Sequence, residues 1–234
     1  MRSRAARGGA LPETNASIDA VFDTLTAKLC DLDEAEQHVA LALYRELLRG
    51  VPVSDNQIAQ VQSRDAHDVS ALLQAPALDS LIYRDDNGLI VGFGGLAVVP
   101  MNHRFRVNGR TLYTWCAWDA LFLVDVLNVR AEIGSTCPQT GSSVHLTASR
   151  AGVERIEPSQ AVLSFLLPHA PLFEQSTGQT ITSFCHYIHF LASPQAAEQW
   201  TAKHEGTFVL SVDDGFRLGR MNNDARFGAV LDRP

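Results

Sequence analysis

Behind Ser17, the apolar residues Ile18, Val21, Phe22, Leu25 and Leu29 recur at helical spacing, which predicts an amphipathic helix over 18–30 with Ser17 as its N-cap. Asp33 with Glu36 three residues on makes a capping-box pattern. It opens a second helix carrying Val39, Leu41, Leu43, Leu47 and Leu48, with Gly50 at its end. Ser54 with Gln57, and then Asp65, open two shorter helices, the latter with Val69, Leu72 and Leu73. The pattern then changes period. Leu81–Arg84 and Leu89–Phe93 flank Asp85-Asp86-Asn87-Gly88, and Phe105–Val107 and Thr111–Tyr113 flank Asn108-Gly109. Asn-Gly supplies the positive φ angles of a tight turn, so both read as β-hairpins. Residues 116–127 form a helical stretch that is apolar nearly all round, as in a helix buried on most sides. Strand patterns follow at Val144–Thr147, Ala161–Leu167, Ser183–Leu191 and Phe208–Val212, and Ser193-Pro194 caps a helix running to His204 before Gly206.

Helices followed by a hairpin outline a winged-helix-like unit over 18–100, and interleaved strands and helices outline an α+β unit over 101–234. Residues 1–17, with Arg2, Arg4 and Arg7 and no apolar segment behind them, read as a flexible basic tail rather than a secretory signal. Composition narrows the classes. Of 234 residues 46% are apolar and 19% charged, which is a globular balance, and 19 Lys+Arg against 26 Asp+Glu give a net charge of −7. In the region where a winged helix would read DNA, residues 54–80, Arg64 stands against Asp55, Asp65, Asp68 and Asp79, a net −3 that phosphates would repel. No nucleic-acid partner is expected, and the module reads as a structural cover. The longest apolar run, Leu89–Val99, is broken by three glycines and falls well short of the ~20 residues that span a bilayer, so no membrane association is expected. A cytoplasmic location is expected, since the basic tail lacks the apolar segment of a secretory signal.

The four cysteines, Cys30, Cys116, Cys137 and Cys185, contain no CxxC pair, which fits thiols in a reducing compartment better than a disulfide framework or a structural zinc site. Cys116 and Asp119 lie three apart at the start of the apolar helix, on one face, where a thiol has a carboxyl within reach of its proton. The first helical turn also favours anions at both positions. Cys185 falls in the predicted strand Ser183–Leu191, with Tyr187 and His189 on its face and His186 on the other. In a straight strand Cys185 and His189 would be about 13 Å apart at ~3.3 Å per residue, too far to share a metal. Cys137, in Ser135-Thr136-Cys137-Pro138-Gln139-Thr140-Gly141, reads as a turn residue, and Cys30 as a helix-packing residue. Gly92-Phe93-Gly94-Gly95-Leu96-Ala97 matches the loose GxGxxA nucleotide pattern, but Val98-Val99-Pro100 cannot start the helix such a site needs. P-loop, HExxH and GxSxG signatures are absent from the sequence.

Three stretches together resemble the alkylmercury lyase (organomercurial lyase) family: Leu112-Tyr113-Thr114-Trp115-Cys116-Ala117-Trp118-Asp119-Ala120-Leu121, then Ser135–Gly141, then Ser183-Phe184-Cys185-His186-Tyr187-Ile188-His189-Phe190-Leu191-Ala192-Ser193. The similarity runs on through Trp200, Lys203, His204, Glu205 and Gly206, and covers about 18–220. It implies an α+β catalytic unit behind a winged-helix-like one. It also implies cleavage of the carbon–mercury bond of alkyl or aryl mercury compounds by protonolysis, giving a hydrocarbon and Hg(II), as in mercury detoxification. Cys116, Asp119 and Cys185 are the implied catalytic residues and the groups around mercury. No cofactor is implied. Low-molecular-weight thiols would release the product, and a mercuric reductase would receive it. The chain departs from the better-known members at Trp118, where a smaller aliphatic residue is familiar, a difference that could reshape the substrate pocket. It departs also at His186, where some members carry a second cysteine, and in its basic tail. Two other classes compete: a non-catalytic thiol-based mercury binder or sensor, and a hydrolase with Cys116 as acyl nucleophile, which wants a histidine base.

Overall fold

The computed structural model describes residues 17–228 and 230–231, so the predicted basic tail, Ser17 apart, lies outside the described residues. Helices α1 (Ile18–Thr26), α2 (Glu34–Leu47), α3 (Asp55–Gln62), α4 (Ala66–Leu73) and α5 (Pro76–Asp79) come first. The caps are those the sequence specifies: Ser17 accepts from Ala20 N–H, Asp33 with Glu36 and Ser54 with Gln57 form reciprocal capping boxes, and Asp65 accepts from His67 N–H.

Eight strands then build one antiparallel sheet: β1 (Ile82–Arg84), β2 (Ile90–Phe93), β3 (Leu96–Ala97), β4 (His103–Val107), β5 (Arg110–Thr114), β6 (Ala131–Thr136), β7 (Ser143–Ser149) and β8 (Gly152–Glu157). Their spatial order is β1-β2-β3-β5-β4-β6-β7-β8. Both Asn-Gly hairpins form, with Gly88 at φ +79°, and with Asn108 at +50° and Gly109 at +78°. The sheet runs without a break across residue 100, since β3 pairs with both β2 and β5. A second, three-stranded sheet has β9 (Val162–Leu166) between β10 (Phe190–Leu191) and β11 (Thr207–Ser211). The remaining helices are α6 (Ala117–Val126), α7 (Thr177–Ser183), α8 (Pro194–Thr201) and α9 (Val212–Phe227). The architecture is α+β.

Helix α6 is the hub. All ten of its residues are buried, between the large sheet and α9. Two glycines one turn apart on α9 let the helices meet closely: a Cβ on Gly215 would lie 3.1 Å from Leu121 Cδ1, and one on Gly219 2.7 Å from Phe122 Cβ. The Trp118 indole N–H donates to Gly215 O at 3.0 Å, and Asn223 donates to Phe122 O and Asp125 Oδ2, both at 2.9 Å. The buried Asp125 carboxylate lies 3.8 Å from both Arg150 and Arg220, so its charge is not left uncompensated.

One predicted element is corrected. The strand over Ser183–Leu191 does not form: α7 runs to Ser183, Cys185–Tyr187 make a 3-10 turn, and only Phe190–Leu191 pair as a strand. Phe184, Cys185, Ile188, His189, Phe190 and Leu191 are all buried, so the run carries no usable alternation. Its backbone bonds are local instead, from Tyr187 N–H to Phe184 O and from Ile188 N–H to Cys185 O, both 3.1 Å. The 13 Å spacing of Cys185 and His189 falls with the strand.

Candidate active site

Three elements meet at Cys116. Strand β5 delivers it: Thr114 Oγ1 donates to Cys116 O at 2.8 Å, and Trp115 N–H to Gly95 O at 2.9 Å. Cys116 then serves as N-cap of α6 in extended backbone. Its own N–H donates to Asp119 Oδ2 at 2.7 Å, while Asp119 N–H faces the cysteine sulfur, a capping box in which a thiol takes the place of a hydroxyl.

The 3-10 turn brings in Cys185, and two clamps hold that turn. Ala117 N–H, at the first position of α6, donates to Ile188 O at 3.1 Å. Ser164, buried on β9, donates through Oγ to Tyr187 O at 2.8 Å, accepts from His189 N–H at 2.9 Å, and donates its own N–H to His189 O at 2.9 Å. Ser164 is the one polar residue in the apolar run Ala161–Leu167, and that break in the pattern is the signal by which sequence reading could have found it.

The two sulfurs and a carboxylate oxygen of Cys116, Cys185 and Asp119 all lie within 4.8 Å of one another, and all three residues are buried. This is the only cluster of three or more such ligands among the described residues. Burial pushes the Cys116 thiol well above its ordinary pKa, and its hydrogen bond to Cys185 and the nearby Asp119 charge act the same way. At Cys185 the hydrogen bond from Cys116 lowers the pKa, but burial and the Asp119 charge outweigh it and the thiol is raised. Burial raises Asp119 to about 7 against the opposing pull of the Cys116 N–H and thiol. Here the sequence expectation is corrected: the helix N-terminus does not hold Cys116 as thiolate, because desolvation of the charged form is the larger effect.

Cys137 and Cys30 stand apart from this cluster. Cys137 occupies the turn after β6, closed by Cys137 N–H to Ser142 O at 2.8 Å and Gly141 N–H to Cys137 O at 2.9 Å. Its sulfur accepts from the Thr140 side chain and from the N–H groups of Ala192, Thr140 and Gln139. Burial raises the Cys137 thiol pKa, yet these hydrogen bonds prevail and lower it. We expect Cys137→Ser to keep turnover within about three-fold and to melt a few degrees lower, at roughly 2–4 °C per kcal/mol for a chain of this size. Parallel activity and melting curves check this, and a fully folded variant that cannot cleave would put Cys137 in the site.

Trp118 is buried: its indole N–H donates to Gly215 O, and its ring meets those of Phe122 and Phe165 edge-on at 5.1 and 5.4 Å, contacts that tie α6 to its neighbours. His186 is exposed, with its carbonyl accepting from His189 Nε2 at 2.8 Å. The buried rings of His103 and His189, 5.7 Å apart, have pKa values lowered by burial to about 3 and about 4. They are neutral at pH 7 and bring no charge to the thiols. The cluster that Cys116 joins holds Cys185 and Asp119 and no histidine, the base that an acyl-transferring cysteine would want. The GxGxxA stretch is an antiparallel turn from β2 to β3, with no helix behind it. Its Gly94-Gly95 pair nevertheless belongs to the site, since Gly95 lies directly against Asp119. Two successive glycines between strands were the available signal.

Two buried thiols and a buried carboxyl thus converge in an α+β fold around an all-buried central helix, a donor set that could hold a metal ion. Comparison with known proteins makes the class specific. The family model described as alkylmercury lyase matches residues 96–223. An alkylmercury lyase of Staphylococcus epidermidis is 37% identical over 183 residues, covering 76% of this chain and 80% of that one. One of Streptomyces lividans is 37% identical, with 78% and 80% covered, and one of Pseudomonas putida 33% identical, with 77% and 81% covered. The fold is that of the mercury-bound form of MerB2, with a TM-score of 0.71 at 21% identity over 88% of this chain and 97% of that one. The chain belongs to the alkylmercury lyase family, and as such is an organomercurial lyase, an enzyme of carbon–mercury bond cleavage.

Proposed function

We propose that Cys116, Cys185 and Asp119 perform the protonolysis of alkyl and aryl mercury compounds, the two sulfurs taking the metal and the carboxyl carrying the proton. The observation that carries this reading is the three ligand atoms within 4.8 Å of one another, two of them soft and one able to hold a proton near neutral pH. An organomercurial R–Hg⁺ is a soft cation, and thiolates are the ligands that suit it. A first thiol exchanges its proton for R–Hg⁺. The second thiol then gives its proton to the Asp119 carboxylate as its sulfur joins mercury, since a bound metal deprotonates a coordinating thiol. With two thiolates on the metal, the Hg–C bond weakens. Asp119 delivers the proton to carbon as that bond breaks, leaving R–H and Hg(II) between the two sulfurs. Two thiol protons enter, one ends on carbon and one in solvent, and no electron changes owner. The chemistry accordingly calls for neither NADPH nor flavin.

A binder or sensor would need the thiols but no proton carrier, and the placement of Asp119 against both sulfurs favours cleavage. Exogenous thiols would lift Hg(II) from the buried pair, for hand-over to a mercuric reductase in the cytoplasm. No described helix is long and apolar enough to cross a membrane. The helices within 18–100, read as a winged-helix-like module, would serve as a cover for the catalytic unit over 101–234, not as a nucleic-acid reader. Incubating the protein with phenylmercury and excess thiol tests the function: benzene release at a rate proportional to enzyme is expected, and mercury capture with no benzene would establish the binder.

A further inference from the structure

Tyr44, on α2, lies outside the mechanism above, yet a continuous chain of contacts joins it to Asp119. Its ring is buried edge-on against Phe93 at 4.9 Å and Phe227 at 6.4 Å, and its hydroxyl donates to Gly94 O at 2.8 Å. Gly94 and Gly95 both hold positive φ, +45° and +96°, so the backbone bends sharply there. That bend is squeezed from both sides. A Cβ on Gly94 would collide with the Tyr44 hydroxyl, and one on Gly95 would lie 2.6 Å from Asp119 Cγ and 2.8 Å from Oδ1. Gly95 O in turn accepts from Trp115 N–H at 2.9 Å, one residue before Cys116.

We propose that Tyr44 is a positioning residue for the proton carrier: by pinning Gly94 O it fixes the Gly94-Gly95 bend, whose backbone forms the wall against which the Asp119 carboxyl rests. The helical unit thereby takes part in the reaction, because α2 sets where the proton is released relative to the mercury-bound carbon. Bare glycine backbone at this wall lets the bend approach the carboxyl closely and leaves no room between them for water. The proposal rests on Asp119 being the proton carrier.

Tyr44→Phe tests it, since the ring and its two edge contacts stay and only the hydroxyl goes. A proton donor displaced by a fraction of an ångström loses much of its advantage, so kcat for hydrocarbon release should fall about ten-fold. KM, and retention of one Hg(II) per chain in the absence of thiol, should stay at wild-type values. Gly95→Ala, which drives a methyl into the carboxyl, should lower kcat by about 100-fold with the same split. A tyrosine that only supports the fold would give another pattern: kcat within two-fold of wild type, mercury retention and cleavage falling together, or loss of the thermal transition. Any of these three results for Tyr44→Phe overturns the proposal. Asp119→Asn assayed alongside separates the two readings. Near-normal turnover by Asp119→Asn removes the proton carrier itself, whereas an inactive Asp119→Asn beside an unaffected Tyr44→Phe removes only the role of Tyr44.

Discussion

Cys116→Ser and Cys185→Ser will each reduce carbon–mercury cleavage to near the uncatalysed background while leaving the protein folded. Both side chains are buried, and serine is slightly smaller with a hydroxyl to satisfy, so a loss of about 1–3 kcal/mol is expected without loss of the fold. What is lost is a ligand. A hydroxyl is a hard, weakly acidic donor that holds a soft cation poorly, and with one sulfur remaining the metal cannot receive the second thiolate that weakens its bond to carbon. The single variants should therefore be nearly as inactive as the double variant, the pattern of groups that act as a unit. Wild type after turnover without added thiol should hold one Hg(II) per chain by native mass spectrometry, and each variant should lose that ion readily to competing thiols. Retention by either single variant as tight as wild type would contradict the two-thiolate arrangement.

Asp119→Asn should separate binding from cleavage. The amide is close in size, and its oxygen can still accept the Cys116 N–H that Asp119 accepts at 2.7 Å, so the cap of α6 and the sulfur positions are preserved. It cannot carry a proton. Loss of a positioned acid/base group costs ~10²-fold or more in rate, and the thiol protons then have no route to carbon. R–Hg⁺ should still enter and stay. A carboxylate that served only as a helix cap would leave cleavage within a few-fold of wild type.

Much of this site is legible in the sequence because its parts are local. The Cys116–Asp119 spacing places both groups on the first turn of α6, and the caps Ser17, Asp33, Ser54, Asp65 and Ser193 each fix a helix start by a bond spanning two or three residues. What escaped depends on tertiary contact. The turn carrying Cys185 is held by Ser164, more than twenty residues away, so nothing within Ser183–Leu191 distinguishes it from a strand. Helix α9 is too polar for an apolar stripe to announce it: its sequence carries Asp213, Asp214, Arg217, Arg220, Asp224 and Arg226, and the contact with α6 is made partly by glycines. Strand β8 is largely exposed and mixed in pattern, and the alternation in β6, with Ala131, Ile133 and Ser135 buried, is muted by its small residues. The protonation state was misread for a related reason. Sequence places Cys116 and Asp119 at a helix N-terminus, but only the packed structure shows how completely water is excluded from both.

The central claim is that the proton reaching carbon travels from a cysteine through Asp119. The measurement that tests it most directly is hydrocarbon release from phenylmercury in D₂O with excess thiol, by wild type and Asp119→Asn in parallel. Wild type should yield singly deuterated benzene, and Asp119→Asn should bind the organomercurial and stall, with product formation at least ~10²-fold slower. Near-normal release of deuterated benzene by Asp119→Asn would contradict the account.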